Sequence, residues 1–126
     1  MENLNGDKNI KVGAYREIFN FLTDQQLPLL DIVQSTGLEK HILKRHPNYI
    51  EYMDKIPEIL LIPDYIGHNP KEPESIELVK VYEDNIQIAV KLDSTNDYYY
   101  VASLYEISNK KLSERLHSGR LKIFTE

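Results

Sequence analysis

Residues 75–105 read SIELVKVYEDNIQIAVKLDSTNDYYYVASLY, and this stretch decides the fold. Within it, apolar and polar residues alternate over residues 86–92, which is the clearest period-2 pattern in the chain. Short polar breaks separate this strand from two further predicted strands, over residues 75–82 and 98–105. Breaks this short favour hairpins, so the stretch predicts an antiparallel meander.

Helical patterns precede the meander. Apolar residues spaced i, i+3, i+4 and i+7 predict an amphipathic helix over residues 14–22. Residues 49–61 also have helical spacing, although Pro57 can divide that helix in two. Between the two, Pro28 weakens a long helix, and residues 29–33 favour a short edge strand.

A short basic helix with two marked ends is predicted from the sequence TGLEKHILKRHP at residues 36–47. Thr36 and Glu39 have the spacing of a capping box, in which each side chain satisfies a backbone N–H of the first turn. Pro47 lacks a backbone donor and disfavours helical geometry in the residue before it, so the helix should end there.

This helix also carries the first candidate functional residues. His41 and Arg45 are four residues apart and share a face, with Lys44 beside His41. Imidazole next to cations suits chemistry on a phosphate, but the same pattern is typical of a solvated helix face. His46 is a possible second imidazole, or it simply closes the helix before the proline.

A final helix and strand follow the meander. Ser108 can cap a helix over residues 109–117, Gly119 has the position of a helix-terminating glycine, and residues 121–124 can form a short strand. The fold class predicted from this order is α+β: N-terminal helices packed on one face of a small antiparallel β-sheet, with a C-terminal helix and a short last strand.

The predicted domain organisation is a flexible, polar tail over residues 1–12 followed by a single domain over residues 13–126. Residues 62–70 are rich in turn formers and mark the change from helices to strands. The tyrosine-rich strand at residues 98–105 could be a free edge, so we expect either a monomer or a weak homodimer.

Composition limits the function further. The chain has 126 residues, of which 41% are hydrophobic and 28% charged, as in an ordinary globular protein. It has no cysteine, which excludes disulfides and thiolate chemistry. No apolar run approaches the ~20 residues of a transmembrane helix, and the N-terminus lacks an apolar export signal, so we expect a cytoplasmic protein without a membrane partner.

The net charge of −5 argues against nonspecific nucleic-acid binding by bulk electrostatics. The charge is uneven, because residues 110–122 contain five Lys or Arg and a single acid. A phosphate site should therefore be a local pocket built from the basic helix and this C-terminal segment.

Within the C-terminal segment, Gly119 lets the backbone approach a phosphate, and Ser118 and Arg120 can donate hydrogen bonds to its oxygens. Alternation places Arg120 and Lys122 on one face of the last strand, opposite the apolar residue between them. A helix end followed by a strand with a solvent face would also explain the segment.

Three residues of the meander complete the candidates. Lys91 lies on the polar face of the middle strand, where it is either a cleft residue or an ordinary solvent lysine. Lys80 shares a face with apolar residues of its strand, which is unusual for a cation. Tyr105 can stack on a base or donate a hydrogen bond to a phosphate.

The order of several short strings resembles the phage-associated barnase–EndoU–colicin–RelE-like nucleases. The resemblance extends over about residues 29–123. The strings that carry it are TGLEKHI (36–42), RHP (45–47), IPDYIG (62–67), SIELVK (75–80), IAVKL (88–92), YVASLY (100–105) and LHSGRLK (116–122).

The resemblance implies a compact α+β fold and metal-independent cleavage of RNA, in which the ribose 2′-OH attacks the neighbouring phosphate. That reaction needs a base, an acid and cations on the developing charge. His41 would be the base or acid and His46 a possible second. Ser118 and Arg120, with either Lys80 or Lys91, would bind the phosphate.

RNA is the expected partner, together with a possible inhibitor protein if the enzyme is of toxin type. No cofactor is expected, because the chain lacks cysteine and has no H-x-x-x-H pair. The alternative function keeps the fold without the chemistry: a non-catalytic binding or regulatory module for a protein or structured RNA.

Overall fold

The computed structural model describes residues 8–126, and within this range it contains seven strands in one sheet and four α-helices. In chain order they are β1 (Asn9–Ala14), α1 (Glu17–Thr23), β2 (Asp31–Ser35), α2 (Thr36–Arg45), a 3-10 segment (Pro47–Lys55), α3 (Ile56–Leu61), β3 (Tyr65–Gly67), β4 (Ser75–Val81), β5 (Asn85–Asp93), β6 (Tyr98–Glu106), α4 (Asn109–Ser118) and β7 (Leu121–Ile123).

The strands are arranged in the order β1-β2-β6-β5-β4-β3-β7. The predicted meander is confirmed: β4, β5 and β6 are antiparallel neighbours, with Glu77 opposite Ala89 and Ala89 opposite Ser103. The α+β class is also confirmed. The sheet is mixed and not purely antiparallel, because β2 lies parallel to β6.

The N-terminal part differs most from the sequence prediction. The chain begins with a strand and not with helices, since residues 9–12 of the predicted tail belong to β1. Residues 1–7 of that tail lie outside the described residues. The alternation of β1 is weak because it is a mostly exposed edge strand with a bulge between Lys11 and Gly13.

Two predictions about strand edges are wrong for the same reason. β2 is not an edge strand, because it pairs with β1 on one side and β6 on the other. The tyrosine-rich β6 is not a free edge either, since β2 and β5 flank it. Whether a strand lies at an edge depends on which distant strands pair with it, and the sequence pattern of one strand does not carry that information.

The helix boundaries are close to those predicted, but the N-cap of α2 is not. Ser35 is the N-cap residue of α2 and makes no capping hydrogen bond with its side chain. Thr36 is already helical, and its hydroxyl accepts a hydrogen bond from the backbone N–H of Lys8 at 3.2 Å. The predicted capping box is therefore wrong, whereas the helix does end at Arg45, before Pro47.

The C-terminal predictions are confirmed. The Ser108 hydroxyl accepts from the backbone N–H of Lys111 at 3.0 Å and caps α4. Gly119 ends the helix in the left-handed region with φ of 85°, a conformation that glycine adopts without a steric penalty.

The short strand β3 was missed, because it lies inside the turn-rich residues 62–70.

The two faces of the sheet have different roles. Buried residues of the three N-terminal helices, such as Phe19, Ile42 and Ile59, form the main core with strand residues that include Ile88. On the other face, α4 covers a smaller apolar cluster of Val79, Ile107, Leu112 and Leu121. The rest of that second face is polar, and it holds the site described below.

Tyr99 links the loop before β2 to the core and should make stability depend on alkaline pH. It is fully buried and donates a hydrogen bond to the carbonyl of Pro28 at 2.6 Å. Burial, and then the charge of Glu74, raise the pKa of Tyr99 to about 12. Because the folded-state pKa exceeds the unfolded one, its contribution is complete below pH ~10 and is lost as the pH rises through about 12.

We expect Tyr99→Phe to lower the free energy of unfolding by about 1 kcal/mol near neutral pH. It should also weaken the loss of stability that occurs above pH ~10, as the pH rises towards the folded-state pKa of about 12. Urea denaturation at several pH values measures both effects, with Tyr100→Phe, at an exposed position of the same strand, as the control. Equal pH slopes for Tyr99→Phe and wild type would contradict the assignment.

Candidate functional site

A buried ion pair lies on the polar face of the sheet. The Glu77 side chain, on β4, is 6% exposed, and Arg120, between α4 and β7, binds it with two parallel hydrogen bonds. Arg120 donates from Nε to Oε1 and from Nη2 to Oε2, both at 2.8 Å. The bonds to Glu77 raise the pKa of Arg120, so the guanidinium stays charged. Its Nη1 has no hydrogen-bond partner among the described residues.

Gln87 on β5 joins this pair to two further side chains. It is fully buried, and its amide nitrogen donates to Glu77 Oε2 at 3.2 Å and to the Tyr105 hydroxyl at 3.0 Å. Its carbonyl oxygen accepts from Arg115 Nη1 at 2.6 Å. All of its hydrogen-bonding groups are thus satisfied, as a buried amide requires.

The register of the sheet explains why these side chains meet. Residues opposite each other on paired strands point to the same face, so Gln87, opposite both Val79 and Tyr105, lies next to them. Small residues at Ala89 and Ser103 leave an open cleft beside this row. The cleft has a volume of about 230 Å³, which is below the ~300–1,000 Å³ of typical drug-sized pockets.

The charged side chains that line the cleft balance, in an otherwise acidic chain, because Lys91 and Arg120 stand against Glu72 and Glu77. Arg115, which binds Gln87 but does not line the cleft, adds one positive charge beside it. At the rim, Lys91 pairs with Glu72 at 3.4 Å, and both side chains are solvent-accessible. An anion such as a phosphate would therefore be attracted to this cleft rather than to the surface as a whole.

Arg120 reaches the cleft because the backbone around it is tightly packed. Gly119 turns the chain after α4, and β7 then pairs with β3. A Cβ atom at Gly67 of β3 would lie 1.9 Å from the Arg120 carbonyl oxygen, so only glycine fits there. The ion pair thus depends on close contact between these two short strands.

His41 on α2 and His46, the residue that follows α2, are linked to the cleft through Tyr105. The His46 and Tyr105 rings stack with centroids 5.5 Å apart, and the His41 ring centroid lies 6.4 Å from that of His46. His46 is half-buried and His41 exposed. His46 therefore contacts a residue of the cleft lining, although neither histidine is itself among the lining residues.

The other predicted residues lie at varying distances from the cleft. Ser118 donates to the Arg115 carbonyl at 3.1 Å and accepts from the Arg120 backbone N–H at 3.3 Å, so it shapes the turn before Arg120. Lys44 and Arg45 are exposed on α2 and make no ion pair with any described residue.

Lys80 and Lys122 are not among the residues that line the cleft. Lys80 lies on the face of the sheet opposite to Glu77, the face that the three N-terminal helices cover. There its ammonium group donates to the carbonyl of Ile62, just after α3, at 2.8 Å. Lys122 is exposed beside a second, smaller pocket near His68 and Gly119. Lys91, Tyr105 and Arg120 are the predicted residues that do line the cleft.

Sequence reasoning missed Glu77, Gln87 and Arg115. In the sequence Glu77 alternates with the apolar Ile76 and Leu78, which is also the pattern of a solvent-facing residue, and only the structure shows that the first five residues of β4 are all buried. Gln87 stood on the polar face of the clearest strand, but nothing in its own neighbourhood indicated full burial. Arg115 appeared as one of several cations on an exposed helix.

Residues 8–126 contain no group of three His, Asp or Glu side chains arranged to hold a metal ion. Within the same range, no helix is long and apolar enough to cross a membrane.

A cleft that contains a guanidinium fixed by a carboxylate, on the polar face of an α+β sheet, is a site that fits proteins acting on phosphates. The family model described as "phage-Barnase-EndoU-ColicinE5/D-RelE like nuclease3" matches residues 10–114, and the chain therefore belongs to this nuclease family. The resemblance found in the sequence is thereby confirmed. Glu77, Gln87 and Tyr105 lie inside the matched region, whereas Arg115 and Arg120 follow it. No curated protein and no solved structure matches the chain.

Proposed function

We propose that this nuclease is an endoribonuclease that cleaves RNA without a metal ion. The ribose 2′-OH attacks the adjacent phosphate and leaves a cyclic phosphate and a 5′-hydroxyl, which restricts the activity to RNA. The observation that carries the proposal is the Arg120 guanidinium, fixed by Glu77, with Nη1 unpaired among the described residues.

The phosphate would be bound by three side chains of the cleft. Arg120 offers its Nη1 donor. Because Glu77 already holds the guanidinium in place, binding a phosphate there requires little rearrangement of the Arg120 side chain. Tyr105 offers its hydroxyl proton, and Lys91 offers its ammonium group once the phosphate replaces Glu72. Charge-assisted hydrogen bonds of this kind are the strong ones, particularly where water is partly excluded.

Proton transfer would come from the two histidines. Imidazole as a class gains and loses a proton near neutral pH, as a general base or acid must. His46 stacks on a tyrosine that lines the cleft, so we assign it as the main general base or acid. His41, whose ring centroid lies 6.4 Å from that of His46, would be the second group.

Purified protein should cut RNA but not DNA in the presence of EDTA, and leave cyclic-phosphate ends. His46→Ala should lower the cleavage rate by about 100-fold, the lower end for loss of a general acid or base, and His41→Ala by less. His117→Ala, an exposed histidine on α4, is the control. If His46→Ala cleaves RNA like wild type, the assignment of His46 is wrong.

A second candidate is a binding module on the same fold. Arg120 and Gln87 bind both oxygens of Glu77, and neither imidazole lines the cleft, an arrangement that also suits binding of RNA or a protein without cleavage. Expression separates the two functions. A toxin-type ribonuclease should harm its host unless an inhibitor protein is supplied, whereas a binding module should accumulate freely and recover a stoichiometric partner.

A further inference from the structure

The hydrogen-bond directions around Gln87 are fixed by chemistry at both ends of the amide. A guanidinium can only donate, so the atom of Gln87 that faces Arg115 at 2.6 Å must be the carbonyl oxygen. An ionised carboxylate can only accept, so the atom that faces Glu77 at 3.2 Å must be the amide nitrogen. The amide therefore has one allowed orientation.

This orientation determines the direction of the Tyr105 hydroxyl. The same amide nitrogen lies 3.0 Å from the Tyr105 oxygen, so Gln87 donates and Tyr105 accepts. The proton of Tyr105 must then point away from Gln87. No described residue accepts it, and Tyr105 lines the cleft. We infer that Arg115 and Gln87 form a positioning relay that holds the Tyr105 hydroxyl as a hydrogen-bond donor to an anion in the cleft.

This inference deepens the proposed function and rests on it for the identity of the anion, a phosphate of RNA. Neither relay residue is required to touch the substrate. Gln87 is fully buried, and Arg115 acts through its bond to Gln87. They are positioning residues. Gln87 also donates to Glu77, but Arg120 holds both oxygens of that carboxylate independently, so the effect of the relay on phosphate binding should pass chiefly through Tyr105.

A double-mutant cycle with inorganic phosphate as the probe tests this route. Tyr105→Phe and Gln87→Met should each raise the phosphate Kd by about tenfold, the value expected for a hydrogen bond to a charged group. The double variant should bind about as weakly as Tyr105→Phe alone. NMR titration of the folded proteins measures the constants. Multiplicative losses in the double variant would overturn the relay.

Arg115→Met provides a second entry to the relay if Gln87→Met does not fold. The increase in phosphate Kd caused by Arg115→Met should match that caused by Gln87→Met. It should also disappear when Tyr105→Phe is already present. Lys110→Met is the matched control, because it removes the same charge from an exposed position of α4. If Lys110→Met weakens phosphate binding as much as Arg115→Met, the effect is bulk electrostatics and the relay is wrong.

The outcomes separate the relay from the proposed function. If the cycle is non-additive but the protein leaves RNA intact, the relay stands and the ribonuclease proposal fails. If RNA is cleaved but the increases in phosphate Kd of the two single variants multiply in the double variant, the ribonuclease proposal stands and the relay fails. A 2′-O-methyl oligoribonucleotide, which lacks the attacking hydroxyl, extends the binding measurement to RNA without cleavage.

Discussion

Arg120→Met should destabilise the protein by about 3 kcal/mol and lower the rate of RNA cleavage by about 10²–10³-fold. The stability loss follows from burial, because removal of one partner leaves the other as an unpaired charge in the interior, at a typical cost of about 3–5 kcal/mol. Glu77 is 6% exposed, and Arg120 at 27% is more accessible, which favours the lower end of that range.

A second variant separates loss of the pair from loss of a charge. Glu77→Met together with Arg120→Met removes both charges and leaves apolar side chains of similar size. Such replacements of buried pairs are often neutral, so the double variant should be more stable than Arg120→Met alone. Urea denaturation with far-UV circular dichroism measures the difference. If the double variant is the less stable of the two, the unpaired charge is not the cause.

The same variants test the site. Loss of one preorganised donor to a developing negative charge typically lowers kcat by about 10²–10³. Arg120→Met and the double variant should both lose cleavage, although their stabilities differ. Arg120→Lys should recover little activity, since an ammonium group cannot make the two parallel bonds to Glu77. Cleavage retained in the stable double variant would remove Arg120 from the site.

Gly67→Ala should have the second large effect. The added Cβ would lie 1.9 Å from the Arg120 carbonyl oxygen, which is backbone and cannot rotate away. Strand β7 would have to separate from β3, and we expect a loss of at least about 3 kcal/mol, the upper end for an overpacked site. Since Arg120 directly precedes β7, cleavage should be lost as well.

Two other glycines are matched controls for Gly67→Ala. A Cβ at Gly13 would meet side-chain atoms of Leu60 and no backbone, with Cδ1 at 3.0 Å and Cβ at 3.4 Å, so Gly13→Ala should cost less than Gly67→Ala. At Gly119 the space is open but φ is 85°, so alanine there should cost about 1–2 kcal/mol through backbone strain. Similar losses at all three positions would contradict the contact as the cause.

Local patterns predicted most of the secondary structure and part of the site. Alternation gave β4, β5 and β6 almost to the residue, and Ser108 and Gly119 gave both ends of α4. The polar face of β5 led to Lys91, which lines the cleft. Failures occurred where the local signal was weak, as in the mostly exposed β1 and the three-residue β3.

The basic helix α2 shows the limit of this reasoning. Its sequence suggested a capping box and a catalytic His41, because both features depend on spacing along one helix. The structure shows no side-chain cap on α2, and it stacks His46 on Tyr105, with the His41 ring centroid 6.4 Å from that of His46. Which imidazole faces a cleft depends on how the helix packs beside the sheet.

The sequence by itself determined the α+β class, the central meander, the stop at Gly119 and the nuclease family, because each of these follows from local or family-wide patterns. Which side chains meet in the candidate site became visible only in the tertiary structure. Glu77, Gln87, Tyr105, Arg115 and Arg120 are spread over residues 77–120, and their meeting depends on strand register and on the close contact of β3 with β7. Hydrogen bonds between side chains so far apart in sequence leave no periodic signal.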